Sequence, residues 1–240
     1  MGQEAAQQVN AQLPMVQDAT INNYVNTLGQ RIARTTSRAD LNWQFQVVNS
    51  SQVNAFALPG GFVYVNRGVL ERASNASEVA GVLGHEIEHV VRRHSVKQME
   101  QVQQANVGVG ILCALTGVCE NAAAQAAINV GGTAVFAKFS RADEVQADEG
   151  GFNNVIRAGL NPRGMLTFFQ KLLAEENSGS GGAASWFSDH PGTQDRIADI
   201  QRMLSQVTPQ VNSLPSNDSG FSAMKSRLAR LGPAPQVRGQ

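Results

Sequence analysis

Long apolar runs and an excess of either charge are both missing from this 240-residue chain. Nineteen basic residues balance nineteen acidic ones, so no overall field attracts nucleic acid or anionic lipid, and we expect no nucleic-acid function. No apolar run reaches the roughly 18–20 residues that a membrane helix needs. The longest candidate, 107–119, has the size of a buried helix. We therefore expect a globular domain without a spanning segment in this chain.

Cysteine is scarce, and no secretory signal is visible. The start Met1-Gly2-Gln3 lacks both a basic segment and an apolar stretch, so the chain is either cytoplasmic or a mature or trimmed form, and its abrupt polar start favours the latter. Cys113 and Cys119 have no histidine nearby and cannot make a four-ligand structural zinc site. They form either a small-loop disulfide, which fits an oxidising compartment, or two buried thiols; the sequence leaves both open.

Apolar spacing in the first third of the chain predicts a helical start followed by short strands. Residues 1–36 carry apolar side chains at helical spacing. The segments 43–48, 53–57 and 62–65 have the composition of strands. A strong turn signal, Leu58-Pro59-Gly60-Gly61, separates the last two strands. We expect these strands to form a small antiparallel sheet.

The rest of the chain reads as a series of helices with clear end signals. We predict a helix after the Asn75 cap, two helical pieces in 107–136, one over 141–158 between Ser140 and Gly159, one opened by Asn161-Pro162, one over 193–207 and a short one in 221–231. The segment 177–185 reads as a flexible loop. The predicted organisation is a single domain, 1–207, with an N-terminal helix at about 4–36 and a catalytic core at about 40–207. A tail, 208–240, follows it.

The sequence His85-Glu86-Ile87-Glu88-His89 lies within the helix that follows Asn75. Spacing of four puts both imidazoles on one helical face, where they can bind one zinc ion together. Glu86 stands beside them, placed to take a proton from a water molecule that the metal activates. A solvated amphipathic helix is the plain alternative, but the apolar segments 79–83 and 90–91 flank the motif, and ionisable groups on a buried helix need partners.

A third ligand has to come from elsewhere in the chain. His94 is the nearest remaining imidazole, but it lies about 180° around the helix from His85 while the helix continues. We interpret His94 as a charge near the helix end. The H-x-x-G-x-x-H extension of metzincins is absent. A carboxylate from another helix is therefore expected.

Glu144 is the carboxylate we select, with Asp148 one turn later to orient an imidazole N–H. The plain alternative is an acidic first turn that obeys the helix dipole. Spacing alone does not choose Glu144 over the other acidic residues considered, namely Asp143, Glu149 and Glu120.

Four motifs in order resemble those of the HtpX and prenyl-protein-protease family of zinc metallopeptidases. They are Asn54-Ala55-Phe56-Ala57-Leu58-Pro59-Gly60-Gly61, the H-E-x-x-H sequence, Glu144-x-x-Ala147-Asp148 and His190-Pro191-x-x-x-x-Arg196. The chain is most similar to the soluble branch found in bacterial envelopes, over about residues 20–205. The resemblance implies that Glu144 is the third zinc ligand and Asp148 its supporting neighbour. It also implies a mostly helical α+β, zincin-like (gluzincin) domain with a small antiparallel sheet beside the active-site helix.

The same resemblance suggests further roles around the zinc ion. In that family, the loop equivalent to the one carrying His190 can close over the metal. His190, Arg196 or Tyr64 could alternatively donate to an oxyanion, and Arg196 could simply pair with a carboxylate. The segment with Asn54, Ala55, Gly60 and Gly61 is expected to bind an extended substrate, although the two glycines also suit a plain turn.

The resulting hypothesis is a zinc endopeptidase with one Zn²⁺ per chain, acting on protein or peptide substrates. The resemblance implies protein quality control in the bacterial periplasm or at the periplasmic face of the outer membrane. Attachment through a removed N-terminal anchor is left open. The alternative is a chaperone-like or adaptor-like binding module with a latent zinc site. A purely structural zinc is disfavoured, because a closed site needs four protein ligands and gives no reason for Glu86 beside them.

Overall fold

Helices dominate the computed structural model of the protein, which describes residues 2–103, 139–178 and 183–235. The helices are α1 Gly2–Gln12, α2 Ala19–Ala33, α3 Arg67–Arg72, α4 Ala76–Val91, α5 His94–Gln103, α6 Arg141–Arg157, α7 Arg163–Asn177, α8 Ala184–Asp189, α9 Thr193–Gln206, α10 Pro209–Asn212 and α11 Phe221–Leu228; the strands are β1 Gln44–Val48, β2 Ala55–Leu58 and β3 Phe62–Asn66. None of these helices could cross a membrane by length and hydropathy. The helical pieces predicted in 107–136, together with Cys113 and Cys119, lie outside the described residues.

Two helices replace the single N-terminal helix predicted at about 4–36. The chain leaves α1 before Pro14, in keeping with the bias of proline against a helical residue before it. Asp18 then caps α2, because its Oδ1 accepts hydrogen bonds from the backbone N–H groups of Thr20 and Ile21. Such a cap contributes about 1 kcal/mol to a helix. The cap signal at Asp18 was in the sequence, and the prediction passed over it.

The sheet has three strands in the order β1-β3-β2. β2 and β3 form the antiparallel hairpin expected from the turn signal, with Gly60 and Gly61 at φ values of 95° and 97°. β1, however, is parallel to β3, so the prediction of an antiparallel sheet is wrong for this pair. Apolar alternation identifies a strand but not its partner. β2 therefore occupies one edge of a mixed sheet.

The helix α4 occupies the centre of the molecule. Each of its residues except Val91 is buried, as expected of a helix surrounded by other elements. It packs against α2, α6, α7 and the sheet. Asn75 caps it by accepting a hydrogen bond from Glu78 N at 3.0 Å, as the sequence predicted. The H-E-x-x-H segment is therefore held in the interior.

The backbones of α4 and α6 touch where they cross. A methyl group on Gly151 would lie 2.7 Å from the carbonyl carbon of Gly84 and 2.8 Å from His85 N. The capping box between Ser140 and Asp143 fixes the start of α6. This close crossing brings the acidic side chains of α6 beside the histidines of α4.

The end of α7 and the start of α8 replace parts of the predicted 177–185 loop. Helix α7 includes residue 177, and α8 begins at residue 184, while 179–182 lie outside the described residues. This placement puts α8 immediately before the predicted site residue His190.

The chain after residue 207 packs onto the core and supports α4. Phe221, Met224 and Leu228 of α11 belong to the main hydrophobic cluster. Asn217 Oδ1 accepts a hydrogen bond from Ala76 N, and the carbonyl oxygen of residue 216 accepts one from residue 77. These two acceptors satisfy N–H groups that a helix start leaves unpaired. The domain boundary at 207 stays a prediction.

A side chain of α11 also closes the C-terminal end of α3. Lys225 Nζ donates to three backbone carbonyl oxygens, those of Leu70, Glu71 and Ala73. A cation at a helix C-terminus complements the helix dipole and the carbonyls that the helix leaves unpaired.

Gly151→Ala is expected to lower the free energy of unfolding by about 1–3 kcal/mol, because the added methyl group forces α6 away from α4. Gly232→Ala is the control: its added methyl group meets nothing within 4 Å, and its effect should stay within about 0.5 kcal/mol. Urea unfolding of both variants measures the difference. Equal stability of the Gly151 variant and the parent would contradict the close crossing.

Candidate metal centre

Two imidazoles one turn apart on α4 direct their Nε2 atoms at the same point. The Nε2 atoms of His85 and His89 lie 3.0 Å apart, and both side chains are fully buried. Two ring nitrogens this close in an apolar interior require a cation or a shared proton between them. The spacing of four that the sequence analysis identified produces this convergence.

Glu144 reaches the same point from α6. Its Oε2 lies 3.5 Å from His85 Nε2, and its Oε1 lies 3.4 Å from His89 Nε2. The other acidic residues considered lie elsewhere: Glu149 is exposed, Asp143 lies beside His94 and Glu120 is outside the described residues. Of the described candidates, only Glu144 joins the two histidines.

His190 completes a group of four donors. Its Nδ1 lies 3.2 Å from His85 Nε2 and 3.3 Å from Glu144 Oε1. One potential ligand atom from each of His85, His89, Glu144 and His190 lies within 4.8 Å of the other three. Imidazole nitrogens with one carboxylate oxygen are a donor set typical of zinc. This group is called the donor cluster below.

Asp148 and Arg196 support the donor cluster from one side. Asp148 Oδ1 lies 2.8 Å from His85 Nδ1, so it can orient that imidazole. The guanidinium of Arg196 donates to both oxygens of Asp148, from Nε at 2.6 Å and from Nη2 at 2.8 Å. Its Nη1 is 2.7 Å from Glu144 Oε2, close enough for an ion pair although not aligned as a hydrogen bond. These contacts place Arg196 against two carboxylates beside the donor cluster.

The charges around the donor cluster do not balance without a cation. Glu86, Glu144 and Asp148 are buried carboxylates, and among the described residues the buried guanidinium of Arg196 contacts two of them, Glu144 and Asp148. Three ionised carboxylates beside one guanidinium leave an excess of negative charge, which a divalent ion would neutralise. The residues therefore fit a divalent metal.

The neighbouring carboxylates also shift the pKa of His190. Burial alone would lower its pKa, but Glu144 and Glu86 outweigh burial and raise it to about 9. His89 behaves in the opposite way: burial holds its pKa well below the usual value. A neutral imidazole is the form that binds a metal.

Glu86 faces the donor cluster without a hydrogen-bond partner among the described residues. In the described ranges, neither of its buried carboxylate oxygens accepts a hydrogen bond. Its Oε1 lies 3.5 Å from His190 Nε2. Burial, the largest influence, raises the pKa of this carboxyl group. A carboxylate with free lone pairs and a raised pKa is suited to accepting a proton at this point.

His94 lies where the sequence analysis did not expect it. Helix α4 ends at residue 91, and Arg93 adopts a left-handed conformation with φ 60°. The chain therefore turns, and His94 is only 1% exposed, with its Nδ1 3.0 Å from His89 Nδ1. The interpretation as a charge near the helix end assumed a continuous helix and is wrong. No glycine or proline marks this break.

Aromatic side chains that no motif identified pack against the imidazoles. Phe139 stacks on His89 with ring centroids 3.9 Å apart, and Trp186 stacks on His190 at 4.4 Å. Their spacing from the motifs is not regular, and the sequence held no signal for either contact.

The predicted substrate-binding residues are divided between two places. Asn54 donates from Nδ2 to Asp189 Oδ2 at 2.8 Å, and the carbonyl oxygen of Ala55 lies 3.5 Å from His190 Nε2. Both residues therefore lie beside the donor cluster. Gly60 lines a cavity of about 210 Å³ that reaches His89.

Gly61 and Tyr64 face away from the donor cluster. The Gly61 carbonyl pairs with Gln44 N of β1. The Tyr64 hydroxyl lies 3.3 Å from Ala6 O and 3.1 Å from Asn10 Oδ1 of α1. An oxyanion role for Tyr64 does not fit this position.

Comparison with known proteins identifies relatives that are named as proteases. The chain is 30% identical over 231 residues to the beta-barrel assembly-enhancing protease of Yersinia pestis, covering 94% of this chain and 47% of the relative. It is 29% identical over 212 residues to the mitochondrial metalloendopeptidase OMA1 of Schizosaccharomyces pombe (86% and 61% of the two chains). It is 32% identical over 162 residues to the metalloprotease LoiP of Escherichia coli (67% and 62%).

The chain spans about half the length of the beta-barrel assembly-enhancing proteases it matches. A model of one protein family, peptidase family M48, matches residues 19–204. That region includes α4, α6 and His190, which together carry the whole donor cluster. The chain belongs to peptidase family M48.

Proposed function

We propose that this chain is a zinc-dependent endopeptidase, in which His85, His89 and Glu144 hold one zinc ion and Glu86 is the general base. The convergence of buried histidine and glutamate donors beside Glu86, whose carboxylate accepts no hydrogen bond from the described residues, carries this proposal. Membership of a metallopeptidase family supports it.

Bound zinc would supply Lewis-acid polarisation of a peptide carbonyl and a water molecule acidified to near neutrality. Glu86 receives the proton of the attacking water on its carboxylate and passes it to the leaving amine. Asp148 holds the His85 ring through Nδ1, and Arg196 holds Asp148. The buried walls exclude other water from the site.

A substrate strand along the outer edge of β2 is the binding mode that the sheet favours. β2 is an edge strand whose partner is β3. The carbonyl oxygens of Ala55 and Ala57 point away from β3, towards His190 at 3.5 Å and Ser95 at 3.4 Å. An extended peptide can pair with such an edge through its main chain, and this mode of binding depends little on side-chain sequence.

In this proposal, His190 lies over the metal position and blocks it. It would supply a fourth donor to a bound ion and would leave no position for water while it stays there. Three contacts hold it: stacking on Trp186, the approach to Ala55 O and the hydrogen bond between Asn54 and the adjacent Asp189. Cleavage therefore requires α8 and His190 to move away from β2.

The substrates and location are inferred from the relatives. The names of two relatives mention beta-barrel assembly and a metalloprotease of Escherichia coli. We infer protein quality control in the bacterial envelope, on the periplasmic side, with a removed N-terminal anchor as the route to any membrane association. Unassembled envelope proteins, with exposed extended segments, suit an edge-strand site.

A binding module with a latent metal site is the second candidate, and the closed position of His190 favours it. In that function, the β2 edge binds an unfolded segment without cleaving it. The behaviour of a His190 variant separates the two candidates.

Glu86→Gln is expected to lower the rate of casein cleavage by at least about 10²–10⁴-fold, because the amide cannot take the proton, while zinc stays bound. The control Glu149→Gln changes an exposed carboxylate of α6 and should leave the rate unchanged. Full activity of the Glu86 variant would remove the assignment of the general base.

Glu144→Ala is expected to weaken zinc binding by more than the 10- to 100-fold typical of losing an outer partner, because it removes a direct ligand. Zinc per chain after dialysis against a chelator, measured by atomic emission, gives the result. Glu149→Ala on the same helix should keep its zinc. A Glu144 variant that retains zinc as tightly as the parent argues against this ligand set.

His190→Ala is expected to increase casein cleavage several-fold, because it opens the fourth position to water. Ser188→Ala, at an exposed position of α8, is the matched control. Unchanged or lower cleavage with zinc still bound would favour the binding module, or a direct role of His190 in catalysis, over self-inhibition.

A further inference from the structure

The two histidines of the H-E-x-x-H motif have different outer partners. Asp148 lies at the Nδ1 atom of His85. The corresponding atom of His89 faces the imidazole of His94 instead, with the two Nδ1 atoms 3.0 Å apart. Both His89 and His94 are buried. The second contact therefore has to be a hydrogen bond between neutral groups or a shared proton.

Geometry determines which nitrogen of each ring carries the proton. His89 directs Nε2 at the donor cluster, so binding through Nε2 leaves the proton on Nδ1. Nδ1–H then donates to Nδ1 of His94, which must be unprotonated there. The remaining proton of His94 is on Nε2, and this nitrogen faces Gln146 Oε1 and Asp143 Oδ1, each at 3.4 Å. Each ring nitrogen in this series of contacts then either carries a proton or offers its lone pair.

From these contacts we propose that His94 is a positioning residue for the metal centre, which accepts the Nδ1–H of His89 and is held in turn by Asp143 and Gln146. This inference rests on the proposed zinc site and adds an outer partner to it. One helix, α6, then supplies the ligand Glu144, the partner of His85, and both groups that hold His94.

The turn between α4 and α5 supports this role independently. The backbone of Arg93 lies in the left-handed region, which residues other than glycine rarely adopt. This turn starts α5 at His94 and points its imidazole inward. An unfavourable backbone conformation next to a site persists only where surrounding contacts hold it. A continued helix would carry His94 to the opposite face from His85.

Two substitutions of similar size test the acceptor directly. His94→Asn places an amide oxygen near the position of Nδ1 and can still accept from His89, whereas His94→Leu cannot. Zinc dissociation constants, measured by competition with a chromophoric chelator, should rise about 10- to 100-fold for His94→Leu and less than about three-fold for His94→Asn. Lys97→Ala, at an exposed position of α5, should match the parent. Equal affinity of the Leu and Asn variants would overturn the proposal.

Nitrogen-15 NMR of the zinc-loaded parent protein tests the tautomers without any variant, should His94→Leu fail to fold. The expected spectrum shows His89 protonated at Nδ1 and His94 protonated at Nε2 alone. A His94 that carries its proton on Nδ1, or on both nitrogens, overturns the inference. A parent chain that binds no zinc overturns the proposed function as well, whereas a zinc-bound parent with indifferent His94 variants overturns the positioning role alone.

Discussion

The concentration of carboxylates in an apolar interior is the constraint on which the rest of the structure depends. Glu144 and Asp148 both contact the guanidinium of Arg196, and Glu86 lies 3.5 Å from His190 Nε2. Isolated charges at such depth cost several kcal/mol each unless they are paired or bound to a metal. The carboxylates of Glu144 and Glu86 raise the pKa of His190 to about 9, against the effect of its burial.

The close crossing of α4 and α6 brings these charged side chains together. Glycines at the contact let two backbones touch, so the short side chains of one helix reach the imidazoles of the other. The proposed site then needs little chain: one turn of α4 carries His85, Glu86 and His89, and one turn of α6 carries Glu144 and Asp148. Loops contribute less, and the one loop residue in the donor cluster, His190, is also the one with a proposed movement.

The sequence predicts correctly the features that a short spacing along one helix determines. It does not predict the features that long-range contacts determine. The positions of His85 and His89 follow from helical periodicity, and the caps at Asn75 and Ser140 follow from local hydrogen bonding. Glu144 needed the family resemblance, because nothing local distinguishes it from its acidic neighbours. The strand that pairs parallel with β3, and the break before His94, depend on tertiary packing that periodicity does not contain.

The segment after residue 207 affects where the end of this domain should be placed. The family match stops at residue 204, yet residues beyond it supply acceptors for the first N–H groups of α4 and a cation for the last carbonyls of α3. The start of the helix that bears the motif is thus held by residues 216 and 217, about 140 positions further along the chain. A protein cut after α9 would lose three apolar side chains from its interior and the two acceptors at the start of α4. The family model therefore ends before the last segment that packs on the core.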